Sequence, residues 1–135
     1  MAKKIQFGNA VLCEYVAQGA NNKHVLVNVF SGDVVVSKFP ADLQFGVYIE
    51  LHNAKNSLSN EGSVEIRVGG NTVVKGQITL AAVNTSAGVI AIPSIVVHLE
   101  SDTTIEVILL ATGYGRAVAL SKKVYLGKMP GEPPT

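Results

Sequence analysis

The sequence predicts an all-β fold, a two-sheet antiparallel β-sandwich of about eight or nine strands. Apolar and polar residues alternate with a period of two along most of the chain, which is typical of strands with one buried face. Turn-forming residues recur at short intervals, and no stretch has a convincing helical period. The 135 residues fit one domain. We therefore expect a single sandwich domain over residues 1–127 and a proline-rich tail over residues 128–135.

The N-terminal part begins with two predicted strands. The first covers residues 5–16 and is followed by a loop over residues 17–23, whose glycine and asparagines favour left-handed backbone conformations. In the second strand, Val25, Val27 and Val29 share one face. The other face contains His24, Leu26, Asn28 and Phe30.

The next elements are a short valine strand and a long alternating strand. Residues 31–33 (Ser-Gly-Asp) have the composition of a tight hairpin turn, which leads into the valines at 34–36. Phe39-Pro40 ends that element, because proline cannot donate to a strand ladder. From residue 43 one face is predicted to be core, and it contains Leu43, Phe45, Val47, Ile49 and Leu51.

A polar loop over residues 53–62 separates this strand from a predicted hairpin. Residues 64–68 alternate with their apolar side chains inward, and Gly69-Gly70-Asn71 is the expected turn. The returning strand contains Gly76, which predicts a bulge or a close approach by another backbone.

The C-terminal strands are more apolar. Residues 89–99 are interrupted by Pro93, which predicts a sheet edge, a bulge or a switch between sheets. Residues 104–111 end apolar on both faces and are expected to form a central strand. Residues 116–126 supply the last predicted strand.

The composition favours self-association. Charged residues make up 16% of the chain, whereas soluble domains average about 25%. The net charge is +1 and the basic residues are scattered, so no basic face for nucleic acid is indicated. Either the chain is a small monomer with a neutral polar surface, or it is a subunit that covers part of its surface with copies of itself. Low charge and a net charge near zero favour the subunit.

The sequence contains no catalytic motif, and we assign no catalytic, cofactor-binding or metal-ligating residue. His24, His52 and His98 lack the spacing of metal ligands. His24 and His98 could still meet in space, where Glu100 or Asp102 could complete a metal site. Each histidine alternates with apolar neighbours, as surface residues of strands do, and this favours a structural role.

Cys13 is the only cysteine, so no internal disulfide can form. It lies in a strand without a positive neighbour, which predicts a small buried apolar side chain rather than a reactive thiolate. The N-terminal residues are too interrupted by polar residues for a signal peptide, and no apolar run approaches the ~20 residues of a membrane helix. We expect a cytoplasmic protein, or a virion component if the gene belongs to a phage.

Part of the chain resembles an uncharacterised family of small bacterial all-β domains. The resemblance rests on residues 11–15 (VLCEY), Asn22-Lys23, residues 25–30 (VLVNVF) and Phe39-Pro40. The family usually has Asp-Gly-Lys where this chain has Asn21-Asn22-Lys23. The resemblance implies a bacterial or phage-related β-sandwich and transfers no catalytic residues to this chain.

These observations predict a non-enzymatic structural or interaction module that assembles with itself or with a protein partner. The alternative is a small-molecule or carbohydrate-binding β-sandwich. Its site would lie in the loops at one end, near Asn21, Asn22, Asn84 and Tyr114.

Overall fold

The computed structural model describes residues 7–21, 23–52, 62–78, 87–111 and 115–127. Within these ranges the chain forms nine strands and no helix, which confirms the predicted fold class. Residues 53–61 of the predicted loop over 53–62 and the tail at 128–135 lie outside the described residues, whereas Gly62 begins a strand. The strands are β1 (Phe7–Gln18), β2 (His24–Val29), β3 (Val34–Val36), β4 (Ala41–His52), β5 (Gly62–Val68), β6 (Asn71–Ile78), β7 (Ala87–Leu99), β8 (Thr103–Ala111) and β9 (Ala117–Leu126).

The strands form two sheets that pack face to face. The four-stranded sheet has the order β2-β1-β4-β7, and the five-stranded sheet has the order β3-β9-β8-β5-β6. The predicted central strand is β8, which lies between β9 and β5. No helix in the described ranges is long and apolar enough to cross a membrane.

The core lies between the sheets and follows the predicted alternation. Burying each large aliphatic or aromatic side chain stabilises the fold by about 1.5–3 kcal/mol relative to leaving it exposed. Leu43 is half-buried beside this core. The buried cluster contains Leu12, Phe45, Val47, Ile49, Leu51, Ile90, Val97 and Leu99 from the four-stranded sheet, and Val34, Val64, Ile66, Ile105, Val107, Leu109 and Val124 from the five-stranded sheet.

The turn between β5 and β6 confirms the predicted hairpin. Val68 pairs with Asn71, so Gly69 and Gly70 form a two-residue loop. Their φ angles are 60° and 82°, as a type I′ turn requires at both central positions. Glycine adopts this conformation without the steric cost that a side chain would bring.

The predicted hairpin at residues 31–33 is wrong, because this segment crosses from one sheet to the other. β2 belongs to the four-stranded sheet, whereas β3 pairs in parallel with β9 of the five-stranded sheet. The crossing buries Val34 in the core, and Asp33 Oδ1 accepts a hydrogen bond of 3.0 Å from the Lys123 amide. The sandwich is therefore antiparallel except at this one pair among the described strands.

The close approach predicted at Gly76 occurs instead at Gly46. No atom lies within 4 Å of a Cβ added at Gly76, and its pairing is regular. A Cβ at Gly46 would overlap the Pro93 carbonyl oxygen and lie 2.9 Å from the Ile92 oxygen. The β4–β7 register shifts at this point, so Pro93 lies in a bulge of an edge strand, as predicted.

Beyond Cys13, β1 folds away from β4 together with β2. β1 pairs with β4 only as far as Cys13, whereas its pairing with β2 continues to Gln18. The His24 and Tyr48 ring centroids are 5.4 Å apart. In a flat sheet the register would separate these residues by seven positions, about 23 Å at ~3.3 Å per residue. The strand pair must therefore bend back over the sheet.

The bent segment, residues 14–18 and 24–28, is called the β1–β2 arm. It lies over the outer face of the four-stranded sheet, because Tyr48 alternates with the buried Val47 and Ile49. β1 accordingly contacts β7, although the two strands are not paired. Val16 is buried but lies outside the main core cluster. The arm therefore makes its own small apolar contact on the outer face.

Candidate interaction surface

The structure places His24 of β2 and His98 of β7 against different parts of β4. His24 lies against Tyr48, whereas His98 pairs with Asp42, six residues earlier in the same strand. The two-histidine metal site considered above is therefore not formed. The side chain of His52 lies outside the described residues. Among the described residues, no group of three or more histidine, cysteine, aspartate or glutamate side chains is arranged to hold a metal ion.

His98 instead lies between two carboxylates on the surface. Its Nδ1 is 2.8 Å from Asp42 Oδ1, and its Nε2 is 2.7 Å from Glu100 Oε1. The hydrogen bond to Asp42 and then the one to Glu100 raise the pKa of His98, because both favour the imidazolium form. Each ring nitrogen faces a different carboxylate, so the three side chains do not converge on one point.

An open cleft lies beside this cluster. It has a volume of about 370 Å³ and is lined by residues 35–38 and 40–42. Ser37, Lys38 and Asp42 on its rim are exposed. Small-molecule sites usually enclose their ligand, whereas this cleft is open to solvent.

The end loops proposed for ligand binding are described only at one position. Asn21 is exposed and has a φ of 57°, as a turn asparagine can. Asn22, Asn84 and Tyr114 lie outside the described residues. The carbohydrate or small-molecule alternative therefore stays a prediction.

Cys13 is buried, as predicted. Its side chain is completely shielded from solvent, and its Sγ lies 3.3 Å from the Tyr15 carbonyl oxygen and 3.8 Å from that of Gly46. Burial raises the pKa of the thiol. A protonated, covered thiol is a poor nucleophile.

Glu65 is a buried carboxylate that the alternation did not reveal. Its side chain points outward, as predicted, but Thr72 and Arg67 cover it by donating hydrogen bonds to Oε1. The hydrogen bond from the Thr72 hydroxyl and then the one from Arg67 lower the pKa of Glu65. Both partners lie on β5 and β6 themselves, so this is a structural cluster that joins neighbouring strands.

An exposed apolar patch extends from the β1–β2 arm to Val29, the last residue of β2. Val25, Val27 and Val29 of β2 are 55%, 40% and 48% exposed, and Tyr15 of β1 is 42% exposed. Val27 pairs with Tyr15, so their side chains are neighbours. The valine face predicted from the sequence therefore faces solvent rather than the core.

β2 is also the least protected sheet edge in the described structure. Natural proteins protect edges with charged residues, prolines, bulges or short strands. β7 has Pro93 and a bulge, β6 has Lys75 and a bulge, and β3 has three residues. β2 contains no charged residue and no proline. We therefore identify the β2 edge, residues 24–29 with their exposed valines, as the candidate interaction surface.

Comparison with models of known protein families found no match, and comparison with curated proteins found none either.

Proposed function

We propose that this protein is a non-enzymatic structural module that assembles with itself, of bacterial or phage origin, such as a virion component. The observation that supports this most is the exposed apolar β2 edge. An unpaired strand offers main-chain donors and acceptors to another chain, and its side chains add apolar contact. Pairing would remove both from water.

The surface chemistry supports the same proposal. Charged residues are 16% of the chain, so few like charges oppose contact between copies. The Glu65 cluster and the His98 cluster described above connect strands within one chain. Glu65 joins β5 to β6, and His98 joins β4 to the end of β7.

The test is the molar mass of the purified full-length chain in solution. Size-exclusion chromatography with light scattering should give a dimer or a larger species at tens of micromolar, and dilution should shift it towards monomer. A chain that remains monomeric at these concentrations would contradict the proposal. A bound small molecule found by native mass spectrometry would favour the binding alternative instead.

A further inference from the structure

We infer that two copies of this chain pair through β2, antiparallel and about a two-fold axis at Val27, so that two four-stranded sheets become one of eight strands. This inference rests on the proposed self-assembly and names its interface. The occupant of the β2 edge is thus a second copy of the same strand.

The first argument is that no other described strand pairs with the outer edge of β2. β2 ends the four-stranded sheet, and its ladder with β1 continues as far as Val29 despite the left-handed conformation of Asn28. β1 therefore holds residues 24–27 of the strand in an extended conformation before any partner arrives. Such preorganisation lowers the entropic cost of adding another strand.

The second argument is that the strand complements itself. In an antiparallel pair centred on Val27, Val25 lies opposite Val29 of the second copy, and Val27 lies opposite its own counterpart. Directly opposed β-branched side chains are favourable cross-strand pairs. A shift by two residues in either direction leaves one of the three valines without a valine partner.

The third argument is the charge at the N-terminal end of β2. Lys23 precedes the strand and is exposed, and β2 itself contains no charged residue. Antiparallel pairing keeps the Lys23 side chains of the two copies at opposite ends of the interface, whereas parallel pairing would place Lys23 beside Lys23. Like charges therefore disfavour the parallel arrangement. An isologous interface of this kind is the commonest in homodimers.

The sharpest test is Val27→Lys in the full-length chain. The variant places two like charges opposite each other at the two-fold axis, so the dissociation constant of the dimer should rise by about tenfold or more. Sedimentation velocity over a concentration series measures it. Val96→Lys is the matched control, because Val96 is 64% exposed on the opposite edge strand β7, and its dissociation constant should equal that of the wild type.

A cross-linking variant covers the case in which Val27→Lys fails to fold. Val27→Cys places two thiols within disulfide reach at the axis, so mild oxidation should give a covalent dimer on a non-reducing gel. Val96→Cys should stay uncross-linked, and the buried Cys13 is present in both.

The outcomes separate the interface from the proposed function. An oligomer that Val27→Lys leaves intact and Val27→Cys does not cross-link would overturn the β2 interface and leave self-assembly standing. A wild-type chain that is monomeric throughout would overturn both.

Discussion

Gly46 has no room for a side chain in the four-stranded sheet. The carbonyl groups of Ile92 and Pro93 lie against its Cα, in the space that a Cβ would occupy. These are backbone atoms in a paired strand, so they cannot rotate away as the end of a side chain could. The β4–β7 bulge therefore depends on glycine at this position.

Gly46→Ala should destabilise the protein by about 1–3 kcal/mol, because adding a methyl group to a well-packed region typically costs this much. Urea unfolding measures the change. Gly76→Ala is the matched control, because a Cβ there meets nothing within 4 Å. It should be neutral or slightly stabilising, since alanine restricts the unfolded chain. Equal urea midpoints for the two variants would contradict the predicted steric overlap between a Cβ at Gly46 and the β7 backbone.

His98 should make stability depend on pH near neutrality. Its pKa is raised in the folded protein, so its contribution is fully present below about pH 6.5, the ordinary histidine value. The contribution is lost as the pH rises through the higher pKa of the folded state. The urea midpoint of the wild type, relative to that of His98→Asn, should therefore fall from about pH 6 to about pH 8.

Salt provides the control for this pH effect. His98, Asp42 and Glu100 are exposed, so high ionic strength should reduce the difference between wild type and variant. Titration of the imidazole by NMR reports the same group directly. A His98 pKa at or below the ordinary value would contradict the assigned hydrogen bonds.

Among the elements, the β1–β2 arm is held to the rest of the molecule by few contacts. β4 supports β1 only up to Cys13, and beyond it the His24–Tyr48 ring contact and the buried Val16 fix the arm. Segments with few buried apolar contacts open locally at a lower free energy than the core. The arm is therefore expected to exchange its amide protons before β8 does.

Tyr48→Ala should loosen the arm selectively. An aromatic pair contributes about 1 kcal/mol, so amide exchange in β2 should speed up about fivefold while protection of β8 is kept. Hydrogen–deuterium exchange with mass spectrometry resolves the two strands. Tyr125→Ala is the control, because Tyr125 is exposed on the other sheet, and it should leave β2 unchanged. Equal exchange of β2 in all three proteins would mean that Tyr48 does not hold the arm.

At the scale of the whole molecule, the alternating pattern was enough to predict two sheets and most of the core. Phe45, Val47 and Ile49 are buried as their spacing indicates. The pattern could not assign β3 to a sheet, because Ser-Gly-Asp suits a hairpin turn and a crossing segment equally well. Tertiary pairing with β9 decides between them.

The candidate surface was predicted only in part. Alternation placed Val25, Val27 and Val29 on one face, but exposure depends on the bend at Cys13, which has no signal in the local sequence. The site of the close backbone approach was not predictable from the local sequence either. A glycine in a strand indicates that another backbone lies near its Cα. Whether this glycine is Gly46 or Gly76 depends on Pro93, which lies 47 residues after Gly46 in the sequence.

Pro93 and its bulge also determine how far an assembly could extend. A sheet with two open edges can add copies without limit and become a fibre. Both β2 and β7 lie at edges of the four-stranded sheet, but β7 is less suited to pairing, because it lacks a main-chain donor at Pro93 and is distorted by the bulge. Pairing through β2 would occupy the better edge in both copies. The product would be a closed dimer rather than a filament, because Pro93 would hinder the addition of further strands to β7.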